Sequence, residues 1–238
     1  MTSARLLEVV GLSATYGQAE VLFDLSFDLR AGEVVALIGR NGAGKSTTLK
    51  AILGLVSRRA RTLTFKSHPL GDLPTYRIAR LGIGYVPEER RIFADLTVAE
   101  NLEVGRQPAR ISHSPWTPDR LFRLFPNLNE MRGRLGGQMS GGEQQMLAIA
   151  RTLVGNPDAI LLDEPSEGLA PVIVHTMSEA ILAMKSEGVA VLLCEQNWPF
   201  AAGISDRACI LERGEMRFQG TMAELAADEA LRASALGL

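Results

Sequence analysis

Long apolar runs are missing from this sequence of 238 residues, although 46% of the residues are hydrophobic. A helix that crosses a lipid bilayer needs about 18 or more consecutive apolar residues, and no stretch of the chain reaches that length. The opening residues, MTSARLLEVVGL, also lack the basic start and the apolar core that are typical of a signal peptide. The sequence therefore predicts a globular, cytoplasmic protein.

Cysteine and net charge are scarce as well. The two cysteines, Cys194 and Cys209, lie in apolar runs without the spacing of a metal site, and we expect both to be reduced core residues. Basic and acidic residues number 25 and 27, which gives a net charge of −2. A surface for nucleic acid or anionic lipid would call for a basic excess. We therefore expect no disulfide, no zinc and no nucleic-acid partner.

Apolar runs of strand length do occur. EVVALIG, AILLD and GVAVLLCE are almost wholly apolar, which is typical of strands buried on both faces, and segments of helix length lie between them. Residues 5–38 contain strand-like runs with turn signals at Tyr16-Gly17 and Ala31-Gly32. From about residue 96 the pattern changes to short helical pieces with Pro and Gly breaks. We predict an α/β fold in a single domain over residues 1–238, with a helical subdomain inserted at about residues 96–140.

The glycine-rich segment GRNGAGKST follows the apolar run EVVALI and precedes the helical stretch TLKAILGLV. In this strand–loop–helix context the pattern G-x-x-x-x-G-K-S predicts a phosphate-binding loop rather than an ordinary glycine-rich turn. Lys45 can reach the β and γ oxygens, Ser46 can offer its hydroxyl to Mg²⁺, and Thr47 can meet the α-phosphate. We predict that the nucleotide contacts come from Gly39, Arg40, Asn41, Gly42, Ala43, Gly44, Lys45, Ser46 and Thr47, with Lys45 also acting in catalysis.

Two adjacent carboxylates, Asp163 and Glu164, end the apolar run AILLD. Buried strands rarely end in charges that have no partner. We predict that Asp163 joins Ser46 in holding Mg²⁺. Glu164, on the other side of the strand's pleat, is predicted to orient and deprotonate a water molecule aimed at the γ-phosphate. The alternative for Glu164 is a helix N-cap, because Pro165 follows it.

The segment MSGGEQQMLAIAR begins a helix with residues that weaken it. Ser140 and Glu143 make a capping box, which an ordinary helix would explain. Gly141 and Gly142 are not explained in this way, since each costs up to about 1 kcal/mol relative to alanine inside a helix. Glycines leave the first N–H groups uncovered at the positive end of the helix dipole, which suits a phosphate. We predict that Ser140, Gly141 and Gly142 bind part of the nucleotide.

In this order and spacing, GRNGAGKST, MSGGEQQ, ILLDEP and SEGLAP resemble the nucleotide-binding subunit of an ATP-binding cassette transporter over essentially the whole chain. The resemblance implies a P-loop NTPase core with a mixed central sheet, an N-terminal antiparallel β-subdomain and an inserted α-helical subdomain. It also implies a homodimer, or a heterodimer with a second cassette subunit, in which Ser140 of one subunit caps the γ-phosphate of ATP held by the other. Tyr16 would stack on adenine, although a tyrosine before a glycine is also an ordinary turn residue.

Three positions depart from the usual pattern of that family. Glu88, in GYVPEERRIF, stands where most members have a glutamine that senses magnesium and the permease. Gln196, in LLCEQN, replaces a histidine that touches the γ-phosphate, and Glu143 replaces a glutamine. With DLTVAENL, these residues resemble the branch that imports branched-chain amino acids, with relatives for urea and short amides. We predict Glu88 in the metal site and in catalysis, and Gln196 in catalysis; the alternative for Gln196 is a turn residue before a helix that Asn197 caps.

The resemblance implies a Mg²⁺-dependent ATPase on the cytoplasmic face of the inner membrane. It would close as a dimer around ATP, bind integral-membrane permease subunits and depend indirectly on a solute-binding protein. The Glu88 loop and the helical subdomain, with Trp116, Phe122 and Phe125, are the expected docking surface, unless those aromatic residues form the core of the subdomain. The alternative function is a cassette ATPase that moves no solute, such as one for iron–sulfur assembly. A small-molecule P-loop kinase would have no use for MSGGE.

Overall fold

The computed structural model describes residues 5–110 and 114–236 of the chain. The strands of this part are β1 (Arg5–Tyr16), β2 (Ala19–Arg30), β3 (Val34–Ile38), β4 (Ser57–Arg59), β5 (Thr62–Phe65), β6 (His68–Pro69), β7 (Ile83–Val86), β8 (Ala159–Asp163), β9 (Ala190–Glu195), β10 (Arg207–Glu212) and β11 (Glu215–Thr221). The helices are α1 (Lys45–Ile52), α2 (Thr75–Leu81), α3 (Val98–Gly105), α4 (Pro118–Leu124), α5 (Pro126–Glu130), a 3₁₀ helix (Gly136–Gln138), α6 (Gly141–Leu153), α7 (Pro171–Ser186), α8 (Trp198–Ile204), α9 (Met222–Ala227) and α10 (Glu229–Leu236).

Two sheets organise the chain. The central sheet has the order β11-β10-β3-β9-β8-β7, and its neighbours are parallel except for β10 and β11. The second sheet is antiparallel, with the order β2-β1-β5-β6 and β4 paired to β1. The predicted α/β fold, with a mixed central sheet and an N-terminal antiparallel sheet, is confirmed.

The central strands are buried on both faces. Every residue of β3, β8 and β9 is buried. Residues of β8 and β9 enter two apolar clusters, one shared with α6 and α7 and the other with α1 and the antiparallel sheet, and β3 also contributes to a third cluster with α8, β10 and α9. Cys194 and Cys209 belong to the second cluster and are free, and burial raises the pKa of the Cys209 thiol to about 12 and that of Cys194 as well.

The described residues between β7 and α6 form α3, α4, α5 and the 3₁₀ helix, together with one isolated bridge from Thr97 to Leu135. Trp116, Phe122 and Phe125 are buried in the cluster that also contains α6. Of the two alternatives for these aromatic residues, the core of the subdomain is confirmed and the docking surface is wrong, because their apolar area already packs within the chain. The limits 96–140 and 1–238 stay predictions, and residues 1–4, 111–113 and 237–238 lie outside the described part.

No helix in the described ranges combines the length and the apolar character that a bilayer crossing requires.

Candidate active site

The glycine-rich loop joins β3 to α1, which begins at Lys45. Gly42 and Gly44 have φ of 80° and 109°, a left-handed backbone that favours glycine. A Cβ atom on Gly39 would lie 2.4 Å from the carbonyl oxygen of Leu211, and one on Gly44 would lie 2.6 Å from Leu22 Cδ2. The loop therefore needs glycine for its own packing against β10 and β2, besides the close approach to phosphate that the sequence predicts.

Lys45 is folded back onto this loop. Its ammonium group donates to the carbonyl oxygens of Gly39 at 2.7 Å and Arg40 at 3.1 Å, and it lies 3.0 Å from Glu164 Oε1. Lys45 is only 3% exposed, and Thr47 is buried in the same first turn of α1. Arg40, Asn41 and Gly42 are exposed, so the outer side of the loop is open. The lysine is thus held at the point where a phosphate chain would meet it.

Ser46 and Asp163 meet at the carboxyl end of β8. Ser46 Oγ donates to Asp163 Oδ1 over 2.8 Å, and the Tyr85 hydroxyl donates to Asp163 Oδ2 over 3.1 Å. Burial raises the pKa of Asp163, and these two hydrogen bonds oppose the shift. Burial also raises the pKa of Tyr85, and the charge of Asp163 raises it further. A hydroxyl and one carboxylate fit Mg²⁺, which takes few protein oxygens together with waters and phosphates.

Glu164 follows β8 in a turn. Its φ is +46°, its N–H donates to the Cys194 carbonyl at 3.0 Å, and it is 8% exposed. The predicted position on the strand's pleat is therefore wrong, because β8 ends at Asp163 and Glu164 has left-handed backbone geometry. The N-cap alternative is wrong too, since the next helix, α7, begins at Pro171. The carboxylate is connected to the glycine-rich loop by its ion pair with Lys45.

Gln196 joins that carboxylate to the glycine-rich loop. Its Nε2 donates to Glu164 Oε2 and to Asn41 Oδ1, both over 2.7 Å. Asn197 caps α8 by accepting from the Phe200 N–H at 3.3 Å. The cap expected under the alternative, in which Gln196 is a turn residue, is therefore present as well. The structure thus brings Gln196 into the predicted site, although its effect on catalysis stays a prediction.

Glu195 holds two of these turns together, and the sequence reasoning missed it. Its carboxylate accepts from the N–H groups of Ser166 at 3.0 Å, Gln196 at 3.0 Å and Asn197 at 3.1 Å. Burial raises its pKa, and these hydrogen bonds oppose the shift. A charge at the end of the apolar run GVAVLLCE was the available signal, equivalent to the one used for Asp163.

Glu88 lies exposed in the loop after β7, close to an acidic cluster. Burial of part of its surface, then the charges of Glu167, Glu164 and Asp163, raise its pKa. Glu88, Glu164 and Glu167 line a cavity of about 230 Å³. Within residues 5–110 and 114–236, Glu88 has no hydrogen bond to Ser46 or Asp163, and no group of three or more His, Cys, Asp and Glu could hold a metal. Its place in the metal site stays a prediction.

The start of α6 lies outside this network. Ser140 caps the helix and forms the predicted capping box with Glu143. A Cβ atom on Gly141 would lie 2.9 Å from Arg90 Nη1, and one on Gly142 would lie 3.0 Å from Ile173 Cγ1. The two glycines therefore also make room for side chains of the same chain. In the part of the chain that the structure describes, no hydrogen bond links residues 140–142 to the glycine-rich loop.

Tyr16 is the last residue of β1 and is 48% exposed. It pairs with Ala19, the first residue of β2. Leu22 of the same strand lies against Gly44, so the turn is close to the glycine-rich loop. An exposed aromatic ring at this position is free to stack on a base. Its contact with adenine stays a prediction.

Known proteins resemble the chain over nearly its whole length. A family model described as ABC transporter matches residues 22–167. The high-affinity branched-chain amino acid transport ATP-binding protein BraG of Pseudomonas aeruginosa is 42% identical over 95% of this chain and 97% of that protein. The probable branched-chain amino acid transport ATP-binding protein LivF of Archaeoglobus fulgidus is 35% identical, covering 98% and 99%. The lipopolysaccharide export system ATP-binding protein LptB of Escherichia coli K12 is 34% identical, covering 97% of each.

A solved structure of an ATP binding subunit of an ABC transporter has a TM-score of 0.82 and 31% identity, covering 98% of this chain and 96% of that chain. Neither the family match nor these relatives support the iron–sulfur assembly alternative.

The position of Glu164 generates a first test. Glu164→Gln keeps the size of the side chain and its contact with Gln196 but removes the base, so we expect nucleotide binding to persist while ATP turnover falls by about 10²- to 10⁴-fold. Binding of a fluorescent ATP analogue and steady-state phosphate release measure the two quantities. Glu179→Gln, on the exposed face of α7, is the matched control. A wild-type rate in Glu164→Gln would contradict the assignment.

Gln196 gives a second test. Gln196→Ala removes the bridge between Glu164 and Asn41, a hydrogen bond to a charged group worth roughly 1.5–3 kcal/mol, and we expect hydrolysis to slow by about 10- to 100-fold. Gln196→His should retain activity above about pH 7. Its rate should fall below about pH 6.5, because a protonated imidazole would pair with Glu164 and make it a weaker base.

Rate profiles from pH 5.5 to 8.5 at saturating Mg-ATP compare these two proteins with the wild type and with Gln107→Ala, an exposed glutamine outside the site. If Gln196→Ala matches the wild type, Gln196 is only a turn residue.

Proposed function

Since the chain belongs to the ABC transporter family and is one of its ATP-hydrolysing, ATP-binding subunits, we propose that it powers the import of branched-chain amino acids. The observation that carries the proposal is the 42% identity to BraG over nearly the whole of both proteins. LptB, named for lipopolysaccharide export, is less similar at 34%. Urea and short amides are the other solutes to which the proposal extends.

The site residues divide the chemistry between them. ATP would bring its phosphates to the N–H groups of the glycine-rich loop and compete with Glu164 for Lys45, which lies 3.0 Å from that carboxylate. Release from the ion pair leaves Glu164 free to take a proton as the water oxygen attacks the γ-phosphorus, while the bond from that phosphorus to the β,γ-bridging oxygen breaks and ADP leaves. Gln196 keeps the carboxylate oriented during that step. Ser46 and Asp163 would hold Mg²⁺, which neutralises charge on the phosphate oxygens when bound.

The start of α6 would act on a second subunit. Because residues 140–142 make no hydrogen bond to the described glycine-rich loop of their own chain, we assign them to the γ-phosphate of ATP held by a partner subunit, which is either a second copy or a related cassette. Arg90, packed against Gly141, adds positive charge beside the helix dipole. Two chains would then enclose the nucleotide between them.

The permease would dock at the Glu88 loop and the neighbouring helical subdomain of about residues 96–140. Phe93 and Leu135 are exposed there, with Phe93 46% accessible. Asn101 binds the N–H and the carbonyl of Phe93 at 3.0 Å each, so the exposed ring stands on a fixed backbone. In this proposal the subunit would lie on the cytoplasmic face of the inner membrane, and its solute would come from a solute-binding protein through the permease.

Ser140 provides the test of the two-subunit site. Ser140→Arg places a long side chain where the partner's phosphate would lie, so we expect the ATP-dependent dimer to disappear in the Glu164→Gln background while ATP still binds the monomer. Oligomeric mass by light scattering, with and without ATP, measures this. Thr221→Arg is the matched control, because Thr221 caps α9 with the same capping box. A dimer that persists in Ser140→Arg would contradict the assignment.

The transported solute is tested in the host cell. Replacing the chain by Glu164→Gln should reduce uptake of labelled leucine, isoleucine and valine to the level without the subunit, whereas Glu179→Gln should transport normally. Affinity purification from native membranes should recover permease subunits with the wild type. Unchanged uptake of all three amino acids would refute the branched-chain assignment, and co-purification with an export machinery alone would refute the importer.

A further inference from the structure

Tyr85 has no part in the mechanism above, yet it touches the site. Its hydroxyl donates to Asp163 Oδ2 over 3.1 Å, while Ser46 donates to the other oxygen, Oδ1, over 2.8 Å. Asp163 is buried. Among the described residues, Tyr85 is the one hydrogen-bond donor to Oδ2. The phenol therefore supplies a donor to an oxygen of a buried carboxylate, and its removal would leave that oxygen without this partner.

The fold fixes this contact from both sides. Tyr85 lies in β7, which pairs in parallel with β8, and it stands opposite Leu161, two residues before Asp163. The ring is half-buried and packs against the apolar cluster between the sheets, so that the hydroxyl is held at the end of β8. Strand pairing and ring packing together leave the phenol little freedom to turn away from Asp163.

We propose that Tyr85 is a positioning residue that orients Asp163 for Mg²⁺, a proposal that rests on the roles assigned to Ser46 and Asp163 above. Because the phenol is hydrogen-bonded to Oδ2, Oδ1 and the Ser46 hydroxyl would be the groups that bind the metal. Hydrogen bonds to a ligating carboxylate fix its orientation in this way. Tyr85 is three residues before Glu88, so the same strand also leads into the loop proposed to meet the permease.

The test separates metal binding from nucleotide binding. Tyr85→Phe keeps the ring and removes the hydroxyl. We expect affinity for a fluorescent ATP analogue in EDTA to stay at the wild-type value, and the thermal midpoint to fall by a few degrees because Asp163 Oδ2 loses its donor. The nucleotide-bound protein should bind Mn²⁺, measured by paramagnetic resonance and by competition with Mg²⁺, about 10- to 100-fold more weakly. ATPase activity should recover partly at high Mg²⁺.

Two control variants define the range of Mn²⁺ affinities against which Tyr85→Phe is compared. Tyr76→Phe removes an exposed phenol on α2 and should bind Mn²⁺ as the wild type does. Ser46→Ala removes a proposed ligand and sets the scale of a large loss. An unchanged Mn²⁺ titration in Tyr85→Phe would overturn the proposal, as would a parallel loss of metal-free nucleotide affinity, which would make Tyr85 merely structural. The titration requires no transport, so failure of the importer assignment would leave this result standing.

Discussion

The ion pair between Lys45 and Glu164 is the contact on which the rest of the site depends. Both side chains are buried, and a buried charge without a partner is strongly unfavourable. The pair joins the glycine-rich loop to the turn after β8, and Gln196 connects that turn to Asn41 by a second route. An anion that takes Lys45 therefore changes the surroundings of Glu164 at the same moment. In the proposed mechanism, nucleotide binding and the release of Glu164 as the base are linked through this contact.

Strand order brings the parts of this network together. Strand β9 lies between β3 and β8 in a parallel sheet, so the segments that follow these three strands meet at one edge. Glu195 then holds two of the segments in register by accepting three backbone N–H groups. The left-handed backbone of Glu164 is kept by these surroundings, which is how a strained residue persists in a folded chain.

The loop after β7 connects this edge to the helical region. Tyr85 precedes this loop and contacts Asp163, and Phe93 lies farther along it with an exposed ring. Arg151 of α6 donates to the carbonyl of Arg91 at 2.7 Å and stacks on the Phe93 ring, so the loop is fastened to the helix that begins at Gly141. A partner that pressed on Phe93 would thus act on a loop attached both to β7 and to α6.

Local sequence patterns were sufficient for the buried strands, the glycine-rich loop and the capping box at Ser140, because each depends on residues a few positions apart. Tertiary structure decided the rest. Gln196 meets Asn41 across 155 positions and Tyr85 meets Asp163 across 78, and these contacts follow from strand order and register, which no local pattern encodes. The choice between the two alternatives for Trp116 has the same cause: only the packed chain decides whether an aromatic ring faces a core or a partner.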